Sequence, residues 1–268
     1  MGVCRPSLRD GHADIRLSEP PTNLVLMSQD AAAELAPTGV LRAAINLGNF
    51  LLVTGRAASG EPQGVAPDMA AEIARRLGVA VEYVPFTRPS SLADAAEEGV
   101  WDIGLIGAEP ARAEKIAFSA AYVEIEAAYL VQPGSSLAGL DDVDQPGVRI
   151  AVLARSAYDL WLERNIKQAT LVRSTSADGA AKLFAEGDAD VLAALRPGLL
   201  TEVERFPGAR ILDGRFTAVQ QAVGTPRQNM AGARFLQAFV EEAKRSGLVE
   251  RLIERHHMVG RLAVAPPA

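Results

Sequence analysis

The sequence has few of the residues that disulfides, metal sites and histidine-based catalysis require. It contains one cysteine, Cys4, so an intramolecular disulfide cannot form and a multi-cysteine zinc site is excluded. Its three histidines, His12, His256 and His257, all lie near the ends of the chain. We therefore expect neither a catalytic triad nor a histidine-based metal site in the body of the protein, and we expect no cofactor.

Positive charge and long apolar runs are scarce as well. The 268 residues include 27 Lys+Arg against 33 Asp+Glu, which gives a formal net charge of −6 at pH 7. This balance gives no electrostatic reason to expect DNA, RNA or an anionic membrane as partner. No apolar stretch approaches the ~18 residues that a membrane span needs. Hydrophobic residues make up 49% of the sequence, enough to build the core of one large domain or of two lobes.

The two ends of the chain lack strong structural signals. A signal peptide needs a basic start, an apolar run of roughly 7–15 residues and a small-residue cleavage site, and charged residues interrupt any such run here. We expect residues 1–35 to be an extension, disordered except for a short helix from about Ser28, with Met27 as an alternative start. We expect residues 263–268 to be a loose tail.

Between the ends, short apolar runs alternate with amphipathic segments. Strands are predicted at residues 40–46, 79–84 and 101–106, with helices between them at 68–77 and 91–96. The same order recurs with strands at 148–153, 169–172 and 189–195 and helices at 157–165 and 177–185. This alternation is typical of a parallel sheet covered on both faces, so the sequence predicts two α/β lobes of related build. A strand at 218–223 and helices at 230–246 and 248–255 are expected to return to the first lobe.

Three motifs carry a resemblance to a known family. Gly64 with the VAPDMAAEI that follows is similar to the pattern G-F-D-x-D-L-x-x-x-I, and GVWDIG at 99–104 is similar to G-x-x-D-x-x. The most specific motif, PARAEKIAFSAAY at 110–122, is similar to P-x-R-x-x-x-x-x-F-S-x-P-Y. Over residues 37–260 the sequence resembles the type II solute-binding proteins of ABC importers, and among them family 3, which binds amino acids and other small acids.

The resemblance implies two α/β lobes joined by a double hinge, with the ligand held in the cleft between them. The first lobe would comprise residues 36–125 plus 219–262, and the second residues 126–218. The hinge strands would lie near residues 124–128 and 218–222. Ligand contacts from both lobes would favour the closed state over the open one.

The resemblance also implies a biological setting. The protein would be a monomer that works in the periplasm and delivers its ligand to the membrane subunits of an ABC importer. Because the chain shows no export signal, a cytoplasmic location is the alternative. Two other functions stay open on the same scaffold, a ligand sensor and an enzyme similar to the cyclohexadienyl dehydratases. Such an enzyme needs a general acid, for which Glu109 is the nearby candidate.

Arg112 is the first candidate for a ligand contact. It follows the third predicted strand, at the carboxyl edge of a parallel sheet, where such sheets place their ligands. A guanidinium can bind a carboxylate through two parallel hydrogen bonds, and the resemblance implies that the arginine at this position does so. The alternative is a surface arginine paired with Glu109 or Glu114.

The resemblance places further ligand contacts around this arginine. Gly107 occupies a position where the family usually has Ser or Thr, and it keeps only a backbone N–H for the carboxylate. Ser156 and Ala157 open a predicted helix, whose free N–H groups and positive partial charge attract anions. A plain N-cap is the alternative for the serine.

The loop after the first strand supplies Asn46, Asn49 and Phe50. The family often presents an acid and an aromatic residue in this loop, which contact the ligand amine and side chain. Asn46 stands where the acid would be, so the loop is less anionic than is usual in the family. A place in the hydrophobic core is the alternative for Phe50.

The clearest departure from the family lies at the end of the predicted strand 189–195. Amino-acid binders of the family tend to place an aspartate there for the ligand's α-ammonium, and this sequence has Leu195, followed by Arg196. A buried ammonium without a counter-charge would cost several kcal/mol. We therefore expect a carboxylate ligand without that amine, such as a dicarboxylate that bridges Arg112 and Arg196. The alternative for Arg196 is an ion pair with Glu202.

Overall fold

The computed structural model describes residues 22–268, with side chains from residue 29 onward. It begins with helix α1, Thr22–Leu35, which starts earlier than the short helix predicted from about Ser28. The expected disordered extension, with Cys4 and His12, falls on residues 1–21, outside the described part of the chain.

Strands and helices alternate through the first half of the chain in the predicted order. Helix α2 begins three residues before the predicted start, because Pro67 fits the first turn of a helix, where its missing N–H costs nothing. It ends at Gly78, whose φ of 72° is left-handed. The elements are β1 (Val40–Asn46), β2 (Gly55–Arg56), β3 (Pro62–Gln63), α2 (Val65–Leu77), β4 (Ala80–Phe86), α3 (Pro89–Asp94), β5 (Ile103–Gly107) and α4 (Pro110–Ala113).

The second half opens with a strand of 16 residues, β6, and then repeats the alternation. Single 3-10 turns at Ala95–Glu97 and Leu140–Asp142 lie outside the regular elements. The remaining elements are β6 (Ile116–Val131), β7 (Arg149–Leu153), α5 (Ala157–Asn165), β8 (Thr170–Ser174), α6 (Ala177–Ala185), β9 (Val191–Leu195), α7 (Arg196–Arg205), β10 (Arg210–Ile211), β11 (Thr217–Pro226), α8 (Met230–Arg245), α9 (Leu248–Arg255) and β12 (Ala263–Val264).

One sheet runs through both lobes in the order β4-β1-β5-β11-β6-β9-β7-β8. In the first lobe β1 lies between β4 and β5 and is parallel to both. In the second lobe β7 lies between β8 and β9 in the same way. The central strands β11 and β6 are antiparallel and stay paired from one lobe into the other. The predicted fold class, two α/β lobes of related build joined by two crossing strands, is confirmed.

Each lobe has a hydrophobic core on both faces of its part of the sheet. On β1, Leu41, Ala43 and Ile45 belong to one cluster, and Ala44 belongs to the cluster on the opposite face. In the second lobe, Tyr129 of β6 belongs to the cluster on one face of the sheet, and Leu130 belongs to the cluster on the opposite face. Because a strand between two helical layers is buried on both sides, it reads as a continuous apolar run.

The helices α8 and α9 pack into the same hydrophobic cluster as β1. Helix α8 packs against α1 so closely that a Cβ on Gly232 would lie 2.5 Å from a methyl carbon of Leu35, which explains the glycine. The predicted loose tail instead begins with β12, which pairs with β6, and the N–H of Ala265 donates to the carbonyl of Tyr122. Within residues 22–268, none of the helices has both the length and the apolar character required to traverse a lipid bilayer.

Each lobe carries the same arginine–aspartate pair between its first and third strands. In the first lobe Asp102 accepts from the backbone N–H and the guanidinium of Arg42, which also donates to the carbonyl of Gly99. In the second lobe Asp190 holds Arg149 in the same way. The two pairs differ in burial, because the carboxylate of Asp102 is 5% exposed and that of Asp190 is 41% exposed.

This difference predicts unequal losses of stability. We expect Asp102→Ala to lower the free energy of unfolding by about 2 kcal/mol, since it removes a buried carboxylate and leaves the backbone N–H of Arg42 without its acceptor. We expect Asp190→Ala, the matched control in the other lobe, to cost about 1 kcal/mol or less. Urea unfolding of both variants measures the two values. Equal losses of stability in the two variants would contradict the expectation that the more buried pair contributes more.

Candidate functional site

A cavity of about 780 Å³ lies between the two lobes. The first lobe lines it with the loops that follow β1, β4 and β5, and the second lobe with the residues that follow β7, β8 and β9. In parallel sheets these carboxyl ends are the usual place for a ligand. The cavity also reaches the hinge strand β11 through Val219 and Gln221.

Most of the residues predicted as ligand contacts come together here. Two of the predicted residues, Glu109 and Arg196, do not line the cavity. Those that do line it are Asn46, Asn49, Phe50, Gly107, Arg112, Ser156, Ala157 and Leu195.

The guanidinium of Arg112 is held between the two lobes. Helix α4 begins with Pro110 directly after β5, and its arginine reaches back to the end of that strand. One terminal nitrogen, Nη1, donates to the carbonyl of Gly107 at 2.7 Å, and Nη2 donates to the carbonyl of Arg155, in the second lobe, at 3.0 Å. A guanidinium has five N–H groups, so further donors are available to a ligand.

Arg112 is buried without a carboxylate partner among the described residues. It is 6% exposed, and it pairs neither with Glu109 nor with Glu114, the surface alternatives considered from the sequence. Burial lowers its pKa to about 10, while the charge of Glu109 acts in the opposite direction. The group is therefore still cationic at neutral pH, and an anion in the cavity would offset the cost of its desolvation.

The carbonyl that accepts from Arg112 belongs to a residue with a constrained backbone. Arg155 has a φ of 58°, in the left-handed region that non-glycine residues seldom adopt. Its N–H donates to the carboxylate of Asp159 at 2.7 Å. Ser156 caps α5 by accepting from the N–H of Asp159, which leaves its hydroxyl hydrogen free to donate.

Gly107 lies in close contact with the start of α5 in the second lobe. A Cβ at this position would lie 2.9 Å from both Ala157 Cβ and Val219 Cγ1. A Ser or Thr, the usual family residues, would therefore force the second lobe away. The glycine allows α5 to approach the end of β5.

The loop after β1 forms one wall of the cavity. The side-chain oxygen of Asn46 accepts from the N–H of Gly48, and that of Asn49 accepts from the N–H of Leu51, so both amides help to shape the loop. Phe50 is 52% exposed and is therefore not a core residue. Its ring lies near Gly198 of α7, so it reaches across to the second lobe.

The position expected to hold an amine-binding acid is apolar in the structure too. Leu195 ends β9, lines the cavity and packs against the cores of both lobes. The acids that line the cavity are elsewhere, Asp178 on α6 and Glu202 on α7, and the second of these pairs with Arg205.

Arg196 and Glu109 are occupied outside the cavity. Arg196 begins α7, which turns its guanidinium toward Glu126 at 2.7 Å and toward the carbonyl of Gly214. It does not pair with Glu202, the alternative considered from the sequence, and it does not face the cavity. Glu109 accepts from Arg164 of the second lobe at 2.6 Å.

Several polar residues that line the cavity were not predicted from the sequence. Tyr158 follows the predicted Ala157, and burial raises its pKa to about 12, so the phenol is neutral. Gln221 lies on a hinge strand, which gave no sign of which residues face the cleft. Arg88 comes shortly after the end of β4 as Asn49 comes shortly after the end of β1, and this position in the chain is a signal that could have identified it. The others are Thr87, Thr175, Ser176, Asp178, Thr201, Glu202 and Arg261.

Ion pairs cross the rim of the cleft on the side of α5. Arg155 binds both carboxylate oxygens of Asp94, at 2.6 and 2.9 Å, and Arg164 binds Glu109. The hydrogen bond from Arg155 lowers the pKa of Asp94 below its ordinary value. The structure is therefore a closed arrangement of the lobes.

We expect Asp94→Asn to shift the lobes toward an open state. An exposed pair contributes about 0.2–1 kcal/mol, so the open-to-closed ratio should rise by at most about fivefold. The radius of gyration from small-angle X-ray scattering should increase slightly at low salt, and this difference should vanish at high salt.

Lowering the pH should also shift the lobes of the unmodified protein toward the open state. Because the pKa of Asp94 is depressed, the pair stabilises closure above the ordinary carboxyl pKa and is lost as pH falls through the depressed value.

Glu72→Gln, which breaks ion pairs within one helix, is the matched control for Asp94→Asn. An identical scattering curve for Asp94→Asn and this control would contradict a role of the pair in closure.

Comparison with known proteins identifies a family. The model for bacterial extracellular solute-binding proteins, family 3, matches residues 51–259 of the 268. No curated protein sequence matches the chain.

Several solved structures share the fold. A mutant of ArgBP from T. maritima superposes with a TM-score of 0.68 at 22% identity and covers 85% of this chain and 99% of that one. A putative ABC-transporter binding component from Wolinella succinogenes, complexed with lysine, gives 0.68 at 20% identity and covers 81% and 95%. The ancestral amino acid-binding protein AncCDT-1, a precursor of cyclohexadienyl dehydratase, gives 0.66 at 21% identity and covers 83% and 97%.

Proposed function

Because the chain belongs to the bacterial extracellular solute-binding proteins of family 3, we propose that it captures a small carboxylate-bearing solute for an ABC importer. The solute would bind in the cavity between the lobes, and hinge movement of β6 and β11 would open and close the cleft. The protein would act outside the inner membrane, as a monomer, and would present its closed form to the membrane subunits of the importer.

The observation that carries this proposal is the burial of Arg112 as a cation without a carboxylate partner among the described residues. Its guanidinium lines the cavity and already donates to carbonyls from both lobes. A carboxylate placed against its remaining N–H groups would restore the charge balance with strong, charge-assisted hydrogen bonds. Ser156 and the first N–H groups of α5 supply further donors from the second lobe.

The same cavity disfavours an ordinary α-amino acid. Several structural neighbours are solved with arginine, lysine or glutamine, and this chain has Leu195 where the amine-binding acid of such proteins is expected. Leu195 supplies no counter-charge for an ammonium at that position, and the acids of the cavity, Asp178 and Glu202, lie elsewhere, on α6 and α7. We propose that the ligand carries a carboxylate but no neighbouring ammonium.

Binding would close the lobes because the ligand touches both. The contacts from Arg112 and from the start of α5 exist together only when the cleft is shut. A ligand that makes contacts from both lobes shifts the equilibrium by its differential affinity for the closed state. The hinge would lie where β6 and β11 pass between the lobes, near residues 124–128 and 218–222, as expected from the sequence.

We propose a non-catalytic role. The dehydratase alternative requires a general acid at the ligand, and Glu109, the candidate for it, pairs with Arg164 and does not line the cavity. Sustained turnover of prephenate or arogenate would contradict the non-catalytic assignment. The sensor alternative predicts a signalling partner in place of importer subunits, and co-purification with the native membrane fraction distinguishes the two.

We expect Arg112→Lys to weaken carboxylate binding by about 10- to 100-fold, because lysine keeps the charge but loses the planar pair of donors. The ligand is first chosen by thermal-shift screening of mono- and dicarboxylates, since a ligand that binds the native state stabilises it by mass action. Isothermal titration calorimetry then compares the variant with the unmodified protein.

Arg227→Lys is the control for this comparison, since Arg227 also donates to a backbone carbonyl of the first lobe but lies outside the cavity. Its affinity should match that of the unmodified protein. Unchanged carboxylate affinity in Arg112→Lys would overturn the proposed site.

We expect Leu195→Asp to raise the affinity for leucine by about tenfold or more relative to 4-methylpentanoate, because the new carboxylate can pair with the ammonium. Leu200→Asp, which adds the same charge to an exposed position of α7, should leave this ratio unchanged. Calorimetry with both ligands gives the ratio. The same ratio in Leu195→Asp as in the unmodified protein would contradict the amine-site assignment.

A further inference from the structure

Gln221 lines the cavity with a largely buried side chain. It is 4% exposed and lines the cavity from the hinge strand β11. Among the described residues no group hydrogen-bonds its side chain, whereas the neighbouring Gln220 donates to Glu124. Its amide atoms are not among the fully buried polar atoms without a partner, so the small exposed part of the residue includes the amide, and a ligand in the cavity can hydrogen-bond it.

The sheet register places this amide beside the carboxylate site. Gln221 lies directly opposite Gly107 in the antiparallel pair of β11 and β5, about 5 Å away across the strands. Directly opposite residues share a face of the sheet, and Val219, two residues earlier on β11, lines the same cavity. A Cβ on Gly107 would lie 3.5 Å from Nη1 of Arg112, so the guanidinium lies over the same face of the sheet as the side chain of Gln221.

An amide can hydrogen-bond a neutral oxygen, but it cannot supply the counter-charge that a buried ammonium needs. Its nitrogen donates to an oxo or hydroxyl oxygen, and its own oxygen accepts from a hydroxyl. It carries no charge to neutralise an ammonium, and Leu195 adds none on the other wall of the cavity. The atom of the ligand next to the carboxylate carbon is the one that lies within reach of a group beside Arg112.

We infer that Gln221 hydrogen-bonds an oxo or hydroxyl substituent on the carbon next to the ligand's carboxylate, so that the protein selects 2-oxo or 2-hydroxy acids. This inference rests on the proposed carboxylate site at Arg112. It names the ligand class more narrowly, and it makes Gln221 the residue that distinguishes these acids from unsubstituted ones.

Two series of acids that differ only at the second carbon test the inference. One is 4-methyl-2-oxopentanoate, its 2-hydroxy analogue, leucine and 4-methylpentanoate, and the other is phenylpyruvate, phenyllactate, phenylalanine and 3-phenylpropionate. Calorimetry should show that the oxo or hydroxy acid binds about three- to tenfold more tightly than the unsubstituted acid in at least one series. The amino acid should bind more weakly than either.

The variant Gln221→Met, of similar size but without the amide, should abolish this preference and leave the affinity for the unsubstituted acid within about threefold. Gln220→Leu, on the opposite face of the same strand, is the control and should keep the preference. Equal affinity of the unmodified protein for substituted and unsubstituted acids would overturn the inference without the need for a variant. So would a preference that survives Gln221→Met.

Failure of this inference differs from failure of the proposed function. If unsubstituted and substituted acids bind equally and Arg112→Lys weakens both, the carboxylate site stands and the role of Gln221 is refuted. If the acid chosen by thermal-shift screening binds Arg112→Lys as tightly as the unmodified protein, both proposals are refuted.

Discussion

A single buried guanidinium, that of Arg112, connects the fold of this protein to what it can bind. The fold brings it to the carboxyl end of β5 and holds it with backbone carbonyls from both lobes. Carbonyls orient the group but do not cancel its charge. The cavity therefore favours an anion at one defined point, and the other lining residues act around that point.

The magnitudes of the interlobe contacts indicate what decides closure. Of the ion pairs at the rim, that of Arg155 with Asp94 has both side chains more than half exposed and contributes about 0.2–1 kcal/mol, whereas Glu109, the partner of Arg164, is only 10% exposed. A charge pair that becomes fully desolvated on closure has measured coupling energies of about 1.5–7 kcal/mol. The rim pairs thus adjust the resting balance between open and closed forms, and the ligand carboxylate at Arg112 provides the larger effect.

The fold could be predicted from the sequence to a large extent because its signals are local. Apolar runs and helical stripes located β1, α5, α6 and α9 with their observed bounds, and the motif around Arg112 identified the family that the family model confirms. The length of β6 could not be predicted, because a strand shared by two lobes takes its pairing from residues distant in sequence.

The site was less predictable, since the direction of a side chain depends on packing. Arg196 follows Leu195 in sequence and was expected to share its cavity, but α7 begins at that residue and directs the guanidinium toward Glu126. Gln220 and Gln221 are indistinguishable in sequence, and only the register with β5 separates the amide that faces the cavity from its neighbour.

The most direct measurement is a crystal structure of the protein with the acid that stabilises it most strongly in a thermal-shift screen. We expect a closed cleft with both carboxylate oxygens of the acid about 3 Å from nitrogen atoms of Arg112. An acid bound elsewhere, or bound in this cavity with its carboxylate directed away from Arg112, would contradict the account.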